Sequence, residues 1–290
     1  MATGTDIRTY FEGRWHEGDV PIMRAADHGA WLGSTVFDGA RRFEGVAPDL
    51  LAHCERVNRS ADALMIEPTV GAEAMAEIVR EGLAAYPKDA AVYIRPMYWA
   101  LEGGPSAVVP ERGPTGFAIC LEAIPMAPPE TATTLTTTRF RRPTLESAVV
   151  NAKAGCLYPN NARMLAEARA KGYGNALVAD ALGNVAESAT ANVFIVRDGE
   201  VWTPIPNGTF LAGITRAPRS PPARGRGARP RGGAHLRGRA RGRRGVPVGQ
   251  HDEGHPRHRV RRHALPARAG DATRARALLG LGAVGGLRRG

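Results

Sequence analysis

The chain has 290 residues, 43% of them apolar, enough for a sizeable core in one large domain or two ordinary ones. It has no apolar run of roughly eighteen residues, which excludes a membrane-spanning helix. The first residues lack the basic-then-apolar order of a secretory leader. The formal charge of +11 suggests a nucleic-acid partner, but it is unevenly placed. Residues 1–216 hold 20 Lys+Arg against 25 Asp+Glu, whereas 217–290 hold 19 Arg against 3 acids.

In chain order, 7–15 reads as a β-rich start interrupted at Gly13. The apolar positions Leu50, Leu51, Cys54, Val57, Ala61, Leu64 and Met65 have helical spacing and predict a helix over 50–66. A second helix is expected over 72–86, with Met75, Ile78, Val79 and Leu83 on one side. Segments 92–99 and 116–124 read as strands, and the Pro-rich 126–130 as a linker between two halves. Beyond it, the Thr-rich 131–139 is strand-like, and 161–171 is a helix stopped at Gly172. Then come a short strand at 176–179, a turn at 180–184 and a strand at 191–196. A hairpin signal at 197–199 and a return strand at 200–203 follow. The class is α+β with two lobes, 1–125 and 131–216.

The three cysteines, Cys54, Cys120 and Cys156, are odd in number and far apart. They suit a reducing compartment, so a cytoplasmic location is expected, and they lack metal-ligand spacing, so no metal is expected.

Lysine is scarce: Lys88, Lys153 and Lys171 are all there are. Lys88 sits in a turn beside Pro87 and Lys171 at a helix end, both solvated positions. Lys153 lies in an apolar and small-residue stretch, 148–156. A lysine held in apolar surroundings can become a nucleophilic amine, although a lysine snorkelling from a strand end reads the same way.

The context of Lys153 is more specific. An ordered series runs through Asn151-Ala152-Lys153-Ala154-Gly155, Tyr158, 167–173, Asp180, Gly183 to Glu187, Asn192, and Gly213-Ile214-Thr215-Arg216. Earlier in the chain stand 33–39, His53-Cys54-Glu55-Arg56 and Tyr93-Ile94-Arg95-Pro96. Together these resemble the class IV, fold-type IV, pyridoxal-phosphate aminotransferases over residues 7–216. That family includes branched-chain and D-amino-acid aminotransferases, R-selective amine transaminases and aminodeoxychorismate lyase.

The resemblance implies a two-lobed enzyme with pyridoxal 5'-phosphate between the lobes, and a homodimer. It implies Lys153 as the residue joined to the cofactor and as its proton carrier, and Glu187 beside the pyridine nitrogen. It places Tyr158 at the phenolic oxygen. Arg56 and the backbone of Ile214 and Thr215 would meet the phosphate; nearby Arg59 would face solvent. Arg95 would contribute to substrate carboxylate binding, or simply tie down a strand. Phe37 and Tyr93 would line an apolar pocket, or belong to ordinary core. The implied reaction moves an amino group from an amino acid, first a branched-chain one, to a 2-oxo acid such as 2-oxoglutarate. Several positions depart from the branched-chain pattern: Leu32-Gly33 for Tyr-Gly, Asp38-Gly39 for Glu-Gly, and Ser188 to Ala191 for a Gly-rich turn. Cys156-Leu157 also stands before Tyr158 where Gly-Asn is usual. All lie at the substrate side.

Residues 217–290 contain no Phe, Trp, Tyr, Ile, Met, Asn, Lys or Cys and cannot bury enough apolar surface to offset chain entropy. They could be an Arg-rich nucleic-acid arm, a solvated tail, or a frameshifted reading. Shifting 248–257 by one nucleotide allows Ser-Gly-Asn-Met-Thr-Lys-Val-Thr-Pro-Val, which resembles the family's second phosphate loop. The frameshift is therefore the expectation for this segment. If the written tail is the real polypeptide, a catalytically dead family member is the expectation.

Overall fold

The computed structural model describes residues 4–128, 131–197 and 200–216, with one further strand at Arg276–Leu279. Residues 198–199 of the expected hairpin turn at 197–199, and nearly all of the Arg-rich segment, lie outside the described residues. The described chain divides into two compact units. One holds 4–128 together with Val149–Tyr158; the other holds 131–148, 159–216 and the last strand.

The first unit opens with strands β1 (Thr5–Phe11) and β2 (Arg14–Glu17), an antiparallel hairpin turned at Glu12 and Gly13. A short helix α1 (His28–Leu32) and strands β3 (Thr35–Phe37) and β4 (Ala40–Arg42) follow. Helices α2 (Leu50–Ala63) and α3 (Ala72–Leu83) come next, then the long strands β5 (Val92–Ala100) and β6 (Thr115–Ala123). The sheet order is β2-β1-β6-β5-β3, with β4 also pairing β5. All of these pairings are antiparallel.

The expected helices form where the apolar spacing put them, each ending a turn or less before the expected stop. On α2, Leu50, Cys54, Val57 and Ala61 are buried; on α3, Met75, Ala76, Val79 and Leu83 are. They pack on Val92, Ile94, Tyr98, Ile119 and Leu121 from β5 and β6, together forming one core. Each fully buried aliphatic side chain there contributes roughly 1.5–3 kcal/mol. Burial along β5 alternates, with Val92 and Ile94 inward and Tyr93, Arg95 and Met97 on the other face.

The second unit contains β7 (Leu135–Arg141), α4 (Tyr158–Ala170), whose first residue belongs to the first unit, β8 (Asn175–Ala179) and β9 (Val185–Ser188). It also contains β10 (Val193–Arg197), β11 (Glu200–Trp202) and β12 (Arg276–Leu279). Strands β7-β8-β9 form one sheet, with β7 parallel to β8; β11-β10-β12 form another. Met164 and Ala168 of α4 are fully buried with Tyr173, Ala176, Val178 and Ala189. The helix ends as expected at Gly172, whose φ of 79° is left-handed. The Thr-rich strand starts at Leu135, four residues later than expected, because its pairing with β8 begins at Leu135 opposite Asn175. No helix among the described residues is long and apolar enough to cross a membrane.

Candidate active site

Lys153 lies on a segment pinned from several directions within the first unit. Its backbone N–H donates to Ser60 Oγ of α2 at 3.1 Å, and its carbonyl accepts from Phe37 N–H of β3 at 3.1 Å. The flanking Ala152 and Ala154 are buried, and Ala154 bridges to Val36. Gly155 then passes so close to β3 that a Cβ there would stand 2.2 Å from Thr35 Oγ1. A three-residue 3-10 turn (Gly155–Leu157) carries the chain into Tyr158. The backbone of Lys153 is therefore fixed while its side chain remains half-buried.

The Lys153 amine donates to Tyr158 Oη at 2.9 Å. It lies 4.9 Å from the centroid of the Phe37 ring and 5.6 Å from that of Tyr158. The two rings are 4.9 Å apart. The structure thus brings together Lys153, Tyr158 and Phe37 as a cationic amine against two aromatic faces and one hydroxyl.

From Phe37 onward the chain alternates. Phe37, Gly39 and Arg41 face the open side of the sheet, while Asp38, Ala40 and Arg42 face the helices. Tyr93 lies over Gly39, where a Cβ would stand 2.4 Å from its hydroxyl. Arg41 and Arg95 lie over the same Tyr93 ring, at 5.5 and 5.3 Å. Arg95 is also ion-paired with Glu122. Phe37 and Tyr93 stand outside the buried core, on this open face.

Arg56 is held from the helix side. Asp38, with no exposed surface, accepts from Arg56 Nε at 2.6 Å and Nη2 at 2.7 Å. The same carboxylate accepts from His53 Nδ1 at 2.7 Å and from Gly39 N–H at 2.6 Å. Burial opposes ionisation, but the Arg56 and His53 hydrogen bonds outweigh it and hold the Asp38 carboxyl down to about 2. Nη1 of Arg56 has no hydrogen-bond partner among the described residues and is open to a further anion. Arg59 pairs with Glu55 at 3.7 Å and is 64% exposed.

In the second unit, Glu187 on β9 is buried. Its carboxylate meets Arg142 Nη2 at 3.0 Å and accepts from Asn192 Nδ2 at 3.1 Å. Arg142 also donates to the carbonyls of Ser188 and Ala189, at 3.0 and 3.1 Å. Asn192 Oδ1 accepts from Gly213 N–H at 3.0 Å, which ties the Glu187 strand to the 3-10 turn Ile214–Arg216. The backbone N–H groups of Ile214 and Thr215 meet no acceptor among the described residues, unlike those of Gly213 and Arg216.

Sequence reasoning passed over Asp38 as an Arg56 anchor, and passed over Ser60, Arg41, Glu122 and Arg142 altogether. Arg41 could have been found, since the sheet alternation that exposes Phe37 exposes it too. Ser60 and Arg142 act through contacts 93 and 46 residues away, which no local pattern carries.

The family model for class IV amino-transferases matches residues 35–218. The structure is similar to that of an aminotransferase from Brucella abortus, determined with the co-factor PLP bound. The two are 62% identical, with a TM-score of 0.71, covering 73% of this chain and 75% of that one. It is also similar to the branched-chain aminotransferase of Thermoproteus uzoniensis determined with norvaline. There the identity is 28% and the TM-score 0.64, over 72% of this chain and 71% of that one. The branched-chain-amino-acid aminotransferase of Escherichia coli is 28% identical over 216 residues, 70% of this chain and 67% of its own length. The two-lobed α+β fold and the matched segment carrying Lys153, Tyr158 and Glu187 lead to one assignment: the chain belongs to the class IV aminotransferases, enzymes of fold type IV that catalyse transamination.

Proposed function

We propose that this protein is a pyridoxal 5'-phosphate enzyme that transfers the amino group of a branched-chain amino acid to a 2-oxo acid such as 2-oxoglutarate. The observation that carries the reading is the Lys153 amine, 2.9 Å from Tyr158 Oη on an immobilised backbone. The PLP-bound Brucella relative and the names of the Escherichia coli and Thermoproteus relatives support the cofactor and the branched-chain substrate.

The donor set fits the cofactor. A primary amine suits its aldehyde and a tyrosine hydroxyl its phenolic oxygen. An arginine fixed by a buried carboxylate suits its phosphate, as do the N–H groups of Ile214 and Thr215, which meet no acceptor among the described residues. A buried carboxylate, Glu187, suits its pyridine nitrogen. When bound, pyridoxal phosphate supplies the electron sink for the electrons left when the substrate α-proton departs. Lys153 Nζ moves that proton, and Tyr158 Oη holds the amine in position. Glu187 holds a proton at the pyridine nitrogen, with Arg142 and Asn192 fixing its carboxylate. Phe37 and Tyr93 provide the wall for an apolar side chain, Arg41 its cationic edge, and Arg95, paired with Glu122, the candidate contact for a substrate carboxylate.

The proposal includes a homodimer acting in the cytoplasm, which the exposed Trp31, Leu32, Val108 and Val109 and the unpaired cysteines support. Lobes over 1–125 and 131–216, joined at 126–130, are part of it, with Val149–Tyr158 returning to the first. So is a reading frame displaced by one nucleotide somewhere after Arg216.

The test is amino transfer from L-leucine to 2-oxoglutarate by the purified protein, compared with Lys153→Ala. D-alanine, an R-amine and aminodeoxychorismate as the alternative substrates separate the other reactions of the family. Turnover of L-leucine lost in Lys153→Ala supports the proposal; turnover that survives the substitution refutes it. Sequencing of codons 210–222 from the source genome tests the displaced frame.

A further inference from the structure

One carboxamide joins the Glu187 carboxylate to the turn that carries Ile214 and Thr215. Asn192 stands just before β10, after a tight turn closed by Ser188, whose N–H and hydroxyl both donate to the Ala191 carbonyl at 2.8 Å. That turn brings Asn192 back beside Glu187, the last residue but one of β9. Asn192 Nδ2 directs its two hydrogens at Glu187 Oε2 and at the Leu211 carbonyl, each at 3.1 Å. Its Oδ1 accepts from Gly213 N–H at 3.0 Å. Two acceptors on one side and a donor on the other fix which way the amide faces.

The contact demands glycine at 213, since a Cβ there would stand 2.2 Å from Asn192 Oδ1. The turn that follows is closed by Arg216 N–H on the Gly213 carbonyl at 3.0 Å. Its far end is seated by the Arg216 guanidinium over the Phe210 ring, at 5.0 Å. Asn192 thus holds the head of the turn and Arg216 its end. Between them, the N–H groups of Ile214 and Thr215 meet no acceptor among the described residues. Pyridoxal phosphate offers its ring nitrogen and its phosphate within a narrow range of separations, because the pyridine ring between them is rigid. Groups that meet both ends must keep a matching separation, and misplacing one of them loses its contact.

Resting on the aminotransferase reading, we infer that Asn192 is a positioning residue for the cofactor. It acts through Glu187 and Gly213, setting the spacing between the carboxylate for the ring nitrogen and the two N–H groups for the phosphate.

Two measurements test this. The first compares dissociation constants for pyridoxal 5'-phosphate and for pyridoxal, which lacks the phosphate. Their ratio reads what the phosphate contributes to binding, and a general loss of affinity leaves it unchanged. It is expected to fall about tenfold in Asn192→Ala and in Gly213→Ala. It should fall no further in the double variant, where the methyl group added at 213 meets no amide oxygen. An unchanged ratio in either single variant, or two losses that multiply in the double variant, overturns the inference. Wild-type protein that binds neither compound overturns the aminotransferase reading, and the inference with it. The second measurement needs no variant. Amide hydrogen exchange in the wild-type protein is expected to be slower at Gly213 than at Ile214 and Thr215. Gly213 exchanging as fast as those two overturns the inference.

Discussion

Asp38 and Arg56 form a two-pronged ion pair in which Nε and Nη2 of the guanidinium meet the two carboxylate oxygens at 2.6 and 2.7 Å. The carboxylate has no exposed surface, and the arginine side chain is 11% exposed. Removing one partner of such a pair leaves a buried charge alone. Asp38→Ala is therefore expected to destabilise the protein by roughly 3–5 kcal/mol, measured by urea unfolding. It should also weaken pyridoxal-phosphate binding, because Arg56 is then no longer held. In an Arg56→Lys background the added loss of cofactor affinity on removing Asp38 should shrink, which a double-mutant cycle on the dissociation constant detects.

The same pair gives stability a pH dependence of defined sign. The Asp38 carboxyl lies at about 2 in the fold against an ordinary 3.8. A depressed carboxyl contributes its full stabilisation above the unfolded value and loses it as pH falls through the folded one. The contribution is about 2 kcal/mol, lost progressively between about pH 4 and pH 2. Unfolding free energies followed from pH 6 to pH 2 should show this slope in the wild-type protein. Asp38→Asn should show less of it.

Tyr158 is expected to matter to rate more than to fold. Its hydroxyl accepts from the Lys153 amine, and its ring is 37% exposed, so Tyr158→Phe removes one hydrogen bond and little packing. A hydrogen bond to a charged group contributes about 1.5–3 kcal/mol, so kcat should fall roughly ten- to a hundredfold. The melting temperature should stay within a few degrees of wild type. A variant with unaltered kcat would show that Tyr158 Oη plays no part in holding the amine.

Gly155 tests the immobilisation of the Lys153 segment. A methyl group there meets Thr35 Oγ1 at 2.2 Å, so Gly155→Ala must displace the Thr35 hydroxyl or push β3 and the lysine segment apart. The expected cost is about 1–3 kcal/mol, together with a loss of turnover. Adding Thr35→Ala removes the opposing oxygen and should restore much of both. Failure of that rescue would mean that the glycine is needed for its backbone and not for the close approach.

In the second unit, Arg142 spans Glu187, Asn161 and the carbonyls of Ser188 and Ala189 from a position 9% exposed. Arg142→Ala is expected to cost roughly 3–5 kcal/mol, because it removes the guanidinium that pairs with the buried Glu187 carboxylate. The Arg142→Ala/Glu187→Gln pair should recover part of this loss in thermal unfolding. No recovery would place the loss in the carbonyl contacts.

The sequence by itself determined whatever depends on near neighbours. Apolar spacing marked α2 and α3 because a helix repeats every 3.6 residues, and most of the residues that set it are buried, whereas Leu51 and Met65 are exposed and Ile78 is only partly covered. Gly172 marked a helix end because the left-handed cap suits glycine. The ordered motifs from Lys153 to Arg216 carried the family by resemblance, because relatives keep their motifs in the same chain order. Short elements such as α1, β3 and β4 were not legible, because three to five residues hold too little of any period.

What the tertiary structure decided is how charges are shared. Asp38 and Arg56 are 18 residues apart, Ser60 and Lys153 are 93 apart, and Arg95 meets Glu122 across a strand register. A sequence shows that a cation is present. It does not show whether a carboxylate already holds it, because that depends on which strands pair and which face each residue takes. Arg56, Arg95 and Arg41 look alike as letters. Only the fold makes the first a fixed fork, the second a neutralised one and the third a cation with no carboxylate partner among the described residues.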